Sequence, residues 1–216
     1  MLAKKVQGAG GAGGGGIELT YIAKGFSGIA RTVSFPSGTQ VGDLAIGFAG
    51  TIARNYTPAG WSTAFFHDGT FEINCIYKVL NATDVAVGVV QLASGDHTWN
   101  ALQVHIFRPS SAITTIYVND SLAARSYNGT NISITPTEQS PPHLILGGNL
   151  FYNANYPNMT GSFWDAKIND VGSNTLIRIQ FAYEFQLDYS TDRLFAQQGT
   201  GNASYDLIGG CYLSFE

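Results

Sequence analysis

Short apolar stretches alternate with turn-forming residues along most of the chain. The clearest example is residues 176–187, where large apolar side chains occupy every second position: Ile177, Ile179, Phe181, Tyr183, Phe185 and Leu187. A period of two is typical of a β-strand with one face in a core. On this pattern the predicted strands are 17–22, 30–35, 43–49, 62–66, 71–80, 85–92, 101–107, 113–118, 132–134, 143–146, 176–187 and 207–215.

Turn signals separate these stretches. Asp68 and Gly69 stand between two aromatic stretches and predict a hairpin. We also predict a turn at 25–28, an exposed loop at 149–159 and one short helix at 191–198. About a dozen short strands, with turns every 8 to 12 residues or so, indicate a sandwich or jelly roll. The sequence therefore predicts a single all-β domain, a jelly-roll-like antiparallel β-sandwich, over residues 17–216.

Residues 8–16 contain only glycine and alanine, so they have almost no side chain to bury. Such a segment is disordered when alone in water. It is either a flexible tether or an arm that becomes ordered between protein subunits, where a partner supplies hydrogen bonds. We predict that residues 1–16 form an assembly arm. The residues that would dock are Leu2, Lys4, Lys5 and Val6, with the apolar pair buried and the lysines paired.

Charge is sparse in this chain. Asp, Glu, Lys and Arg make up 12% of its 216 residues, about half the usual share. This favours a surface that neighbouring subunits partly cover. The net charge is −4 and Lys4–Lys5 is the basic cluster, which argues against nucleic acid as a partner. The chain also shows no apolar run of membrane-span length and no signal-peptide core, so we expect no membrane insertion. Cys75 and Cys211 lie in apolar contexts and are expected to be buried free thiols.

Residues that could carry catalysis or bind metal are scattered along the chain. The carboxylates that could form a glycosidase pair are Asp165, Asp170, Glu184 and Asp188, and nothing in the pattern selects two of them. The histidines are His67, His97, His105 and His143, and none lies at metal-ligand spacing. His105 falls within an apolar strand and is expected to be satisfied by neighbours or to lie on the strand's face. We predict no enzymatic activity, no cofactor and no metal.

One stretch has the composition of a sugar-binding surface. It lies in the predicted loop at 149–159, and its candidate residues are Phe151, Tyr152, Asn153, Asn155 and Tyr156. Tyr and Asn can stack on a sugar and form hydrogen bonds with it. The alternative is a loop that packs on its own sandwich or on a neighbouring subunit.

Four motifs follow one another in an order that resembles a jelly-roll module of tailed-bacteriophage virion proteins. They are VSFPSG at 33–38, VGDLAI at 41–46, TPAGW at 57–61 and IYKV at 76–79. Residues 143–146 and the last strand resemble the closing strands of that module. The chain departs from it at Arg108–Pro109, where the module often has a tyrosine-containing strand end. Physically, Asp43 can bond backbone amides at a strand start, and the turn before Trp61 would bring its ring to one end of the sandwich.

The resemblance implies a non-enzymatic virion structural protein. A tail fibre, baseplate or tail-appendage component anchored by its N-terminal arm is the first expectation. A capsid decoration protein, or a carbohydrate- or receptor-binding module that uses the 149–159 loop, are the alternatives. The implied partners are other virion proteins, further copies of the chain in a homotrimer, and a host-surface glycan. The implied location is the virion, assembled in the host cytoplasm.

Overall fold

The computed structural model describes residues 16–28, 30–52, 55–95, 100–125, 131–134, 143–152, 166–171, 177–186, 193–196 and 207–216. The elements of the first half are β1 (Leu19–Ser27), β2 (Thr32–Ser34), β3 (Leu44–Thr51), β4 (Ser62–His67), β5 (Glu72–Val79), α1 (Ala82–Val87), β6 (Val89–Gln91) and β7 (Ala101–Pro109). Those of the second half are β8 (Ile116–Arg125), β9 (Asn131–Ile134), β10 (His143–Tyr152), β11 (Ala166–Val171), β12 (Ile177–Gln186), β13 (Arg193–Ala196) and β14 (Leu207–Phe215).

These strands form two packed antiparallel sheets. The first sheet has the order β1-β7-β3-β5-β4, and the second has the order β11-β12-β10-β14-β8. Within the described residues, each sheet takes its strands from one half of the chain. Two short ribbons, β2 with β6 and β9 with β13, accompany them. The predicted fold class, an all-β jelly-roll-like antiparallel sandwich, is confirmed.

An inner core joins the facing sides of the two sheets. Rings from the first sheet lie against glycines of the second: Phe48 against Gly148, and Phe65 against Gly209. A Cβ atom on Gly209 would lie 2.6 Å from a ring carbon of Phe65, so a larger residue there would push the sheets apart. The alternation of β12 is confirmed on this side, because Ile179, Phe181 and Tyr183 all belong to the inner core.

A second apolar cluster, the outer cluster, covers the opposite face of the first sheet. Its buried members are Val33, Ala45, Ala49, Ile76, Leu80, Val90, Leu92, Ala93, Leu102, Val104 and Ile106. The β2–β6 ribbon and Val85 of α1 contribute to this layer. Trp61 packs here, on the outer side of the first sheet, and does not close the end of the space between the sheets. The first sheet is therefore buried on both faces, which explains why every residue of β3 is buried.

The structure corrects two of the predicted local elements in the first half of the chain. The predicted turn at 25–28 is wrong over most of its length, because β1 continues to Ser27 and pairs with β7. Residues 85–92 are not one strand, because α1 ends at Val87 and β6 begins at Val89. A capping box between Asn81 and Asp84 starts that helix. The described helix is not long and apolar enough to cross a membrane.

Further corrections concern the second half. The predicted short helix at 191–198 is wrong, because Arg193–Ala196 pairs with β9 as strand β13. The predicted loop at 149–159 is wrong at its start, because β10 continues to Tyr152, paired with β14 as far as Leu150 and with β12 as far as Tyr152. Asn149, expected in an exposed loop, is 0% exposed. Pairing of residues 149–152 with β12 overrides the local turn composition.

Candidate functional site

The turn before β3 is held by a buried carboxylate. Asp43 is 1% exposed, and its Oδ2 accepts a hydrogen bond of 2.8 Å from the backbone N–H of Gln40. This confirms its expected role at the strand start. Arg108 at the end of β7 also donates to both oxygens of Asp43, at 2.9 and 3.0 Å, and to the Gly38 carbonyl at 2.7 Å. The hydrogen bond to Asp43 raises the pKa of Arg108. This carboxylate therefore joins a turn to a strand.

His105 lies in the inner core and is fully buried. Its ring stacks on Phe181 of the facing sheet, with centroids 3.9 Å apart. Its Nε2 donates to Gln103 Oε1 at 3.0 Å, and its Nδ1 lies 3.3 Å from the Tyr21 hydroxyl, which donates to it. Burial, and secondly the positive charge of Lys24, hold the pKa of His105 well below its usual value. The sequence expectation of a satisfied histidine is confirmed: this is a neutral ring with both nitrogens bonded.

Both cysteines are buried and free, as predicted. Burial raises the pKa of Cys75, and the nearby Cys211 raises it further. Burial also raises the pKa of Cys211. A thiol that stays protonated is a poor nucleophile and a poor metal ligand, so these two side chains act as small apolar groups.

A cavity of about 150 Å³ opens to solvent on the outer side of the first sheet, at its β4 edge. We name it the amide cavity, and its lining residues are Asn55, Tyr56, Thr57, Thr63, Phe66 and Asn74. Phe66 of β4 and Asn74 of β5 are register partners in the sheet. The segment 55–57 forms the remaining wall. All six lining residues are uncharged.

Hydrogen bonds fix the segment that forms this wall. The backbone N–H of Asn55 donates to Glu72 Oε2 at 2.9 Å, and that of Tyr56 donates to the Leu92 carbonyl at 3.1 Å. The Asn55 side chain is also fixed, because the Thr51 hydroxyl donates to its Oδ1 at 3.1 Å. The wall is therefore positioned before any ligand binds.

Two amide atoms of the cavity residues lack a hydrogen-bond partner among the described residues. They are Nδ2 of Asn55, a donor, and Oδ1 of Asn74, an acceptor. The other amide atom of Asn74, its Nδ2, donates to the Thr57 hydroxyl at 3.2 Å. Two aromatic side chains beside them reach solvent: Tyr56 is 39% and Phe66 is 47% exposed. An open cavity with a buried donor, a buried acceptor and exposed rings is suited to binding a small polar molecule with an apolar face.

The structure leaves most of the sequence-predicted sites untested. Leu2, Lys4, Lys5 and Val6 lie outside the described residues, as do Asn153, Asn155 and Tyr156. The backbone of Phe151 and Tyr152 forms the end of β10. Their role in a ligand or receptor site stays a prediction.

Four carboxylates were considered for a glycosidase pair. The structure describes Asp170 and Glu184, whereas Asp165 and Asp188 lie outside the described residues. Asp170 pairs with Ile179 of β12, five positions along that strand from Glu184. At about 3.3 Å per residue the two backbones are roughly 16 Å apart along the strand, well beyond the 5–10 Å or so of a glycosidase pair. The strand pairing therefore does not bring these two backbone positions together.

The sequence interpretation missed the amide cavity. Its signal is faint: Asn74 is a single polar residue between Ile73 and Cys75, in a strand that is otherwise apolar at its centre. The contribution of Asn55 depends on the pairing of its segment with residue Ala93, which is distant in sequence.

Comparisons of the chain with protein-family models, with curated proteins and with solved structures gave no match.

Proposed function

We propose that this protein is a non-enzymatic structural component of a tailed-bacteriophage virion. A tail fibre, baseplate or tail-appendage subunit, anchored by residues 1–16, is the form we favour. The proposal is carried by the positions of the four motifs that resemble the phage module: their residues form turns and packing contacts within the domain itself. Asp43 of the VGDLAI motif is buried and bonded to Arg108, so its carboxylate stabilises the frame of the first sheet.

The other motifs support the same interpretation. Gly38 of VSFPSG and Gly60 of TPAGW have φ angles of 89° and 78°, which favour glycine because a side chain is strained there. Trp61 packs on the outer cluster, and Tyr77 of IYKV packs on the inner core. The motif residues thus specify turns and packing, as expected for a module whose role is to present a rigid surface for assembly.

Low charge also supports assembly. A chain with 12% charged residues has few groups to keep free copies apart, so contact with other subunits is favoured. We propose a homotrimer that contacts other virion proteins through its arm. The alternative is a capsid decoration protein, which would use the same sandwich on the head of the virion.

The test is to find the chain on intact particles. Antibodies against the sandwich should label the tail of purified virions in electron microscopy, and light scattering of the purified chain should give the mass of three copies. Label on the head would replace the tail assignment with the decoration alternative. Absence of the chain from purified particles would contradict the proposal.

Two arm variants test the anchor. Deletion of residues 1–16 should leave the circular dichroism spectrum and the melting temperature unchanged and abolish incorporation into particles. The double variant Leu2→Ser with Val6→Ser keeps the arm's length and removes its apolar head. It should fail to incorporate in the same way, whereas a simple tether would tolerate it. Normal incorporation of the deletion variant would show that the anchor lies elsewhere.

A further inference from the structure

We propose that the amide cavity binds one sugar residue of a neutral carbohydrate. This inference does not rest on the virion proposal, because it depends only on the cavity's own side chains. It also differs from the sugar surface predicted at 149–159, since the amide cavity lies on the outer side of the first sheet, at the β4–β5 pair.

The hydrogen-bonding pattern is the first argument. Asn74 is 4% exposed, and its Oδ1 finds no donor among the described residues. Buried polar atoms are nearly always paired, so an unpaired one calls for a partner outside the protein. Asn55 lines the same cavity, and its Nδ2, a buried donor, also has no partner among the described residues. A hydroxyl group both donates and accepts, so the hydroxyls of a sugar match a site that has one unpaired donor and one unpaired acceptor.

The exposed rings are the second argument. Phe66 and Tyr56 flank the buried amides and keep 47% and 39% of their surface in solvent. Water could form hydrogen bonds with the two amides, but it makes no favourable apolar contact with the two aromatic rings. A pyranose carries C–H groups on its ring faces and hydroxyls around its rim, so it can contact a ring and the amides at once.

Charge and size define the ligand class. The six lining residues that the structure describes are uncharged, so none of them supplies a cation for a phosphate or an anion for an amine. Its volume of about 150 Å³ corresponds to roughly five water molecules, at about 30 Å³ each. That volume suits a single sugar unit, with any further units of a chain lying outside in solvent.

Fixed geometry is the third argument. The bonds from Asn55 to Glu72 and from Thr51 to Asn55 hold the donor in place. The bond from Asn74 to Thr57 orients the amide that carries the acceptor. A site that is ordered beforehand avoids part of the entropy lost on binding.

The experiment is an NMR titration of the full chain. The probes are the methyl glycosides of glucose, galactose, mannose and N-acetylglucosamine, each added to millimolar concentration. At least one should shift the side-chain amide signals of Asn55 and Asn74 in a saturable way. Glucose 6-phosphate should bind no more tightly than the neutral glucoside. Failure of all four glycosides to shift these signals, or tighter binding of the phosphorylated sugar, would overturn the proposal.

Variants connect binding to the cavity. Phe66→Ala and Tyr56→Ala should each weaken binding by about 2- to 10-fold, as expected for a lost ring contact. Asn74→Leu should abolish measurable binding because the acceptor is removed. The matched control is Phe26→Ala, which removes a 40% exposed ring from β1 and should bind like the wild type. If Phe66→Ala or Asn74→Leu bound as well as that control, the sugar would lie elsewhere and the proposal would be wrong.

Discussion

Two groups of buried polar side chains lie on opposite sides of the first sheet, and they differ in whether their polar atoms have hydrogen-bond partners. On the inner side, Gln103 and Tyr21 each bond to His105, so both ring nitrogens of the histidine are occupied. On the outer side, Asn55 and Asn74 line an open cavity and each keeps one amide atom without a partner among the described residues. Both groups are shielded from solvent to a large degree.

This difference distinguishes polar groups that stabilise the fold from polar groups that can bind a ligand. A closed network gives the fold specificity, and removing one member leaves the others unsatisfied. An open pair does not stabilise the fold through its unpaired atoms, and we therefore assign those atoms to a ligand. Each prediction below is a way to break or to sharpen this contrast.

Replacing one phenylalanine on each side should give the largest contrast. Phe181, 0% exposed, packs in the inner core against His105, so Phe181→Ala should lower the free energy of unfolding by about 3–5 kcal/mol. Phe66, 47% exposed, lies at the cavity, so Phe66→Ala should change it by no more than about 0.5 kcal/mol. Urea denaturation of both variants measures the two values. Similar losses would mean that the outer ring also belongs to the structural core.

The pH dependence of stability should report the closed network. The pKa of His105 is well below 6.5 in the folded protein and near that value when the chain unfolds. The stability that the neutral ring contributes is therefore complete above pH 6.5. It is lost as the pH falls, because only the unfolded chain takes up the proton. While His105 stays neutral in the folded protein, the limiting slope is about 1.4 kcal/mol per pH unit.

The control for this slope is His105→Gln, which keeps a polar side chain but does not titrate. It should be less stable than the wild type above pH 6.5, with a shallower loss of stability below it. The same carboxylates titrate in both proteins, so the difference between their curves isolates the histidine. Parallel curves would contradict the closed, neutral network.

The fold could be predicted from the sequence because its signals are local. The alternation in β12 placed Ile179, Phe181 and Tyr183 on the core side, and the hairpin at Asp68–Gly69 joins β4 and β5 as expected. The predictions were wrong where pairing with a strand distant in sequence determines the secondary structure of a segment. Arg193–Ala196 is a strand because β9 is available to pair with it, and no local pattern reports that.

The candidate site could not be predicted because its parts meet only in the folded protein. Asn74 lies in β5, and Asn55 reaches it through a segment that is positioned by bonds to Glu72 and Leu92. In the sequence, Asn74 is simply one polar residue in an apolar strand. Its meaning depends on which of its atoms remain unpaired, and that is a property of three-dimensional contacts.

The most direct test of the contrast is to make one amide on each side apolar and to compare the free energies of unfolding. Gln103→Met should lower it by at least about 1 kcal/mol, because His105 Nε2 loses its acceptor in the closed network. Asn74→Leu should lower it by clearly less, because the lost hydrogen bond to the Thr57 hydroxyl is offset by the removal of Oδ1, a buried acceptor with no partner among the described residues. A loss from Asn74→Leu as large as that from Gln103→Met would contradict the account. It would show that the outer amide stabilises the fold and is not reserved for a ligand.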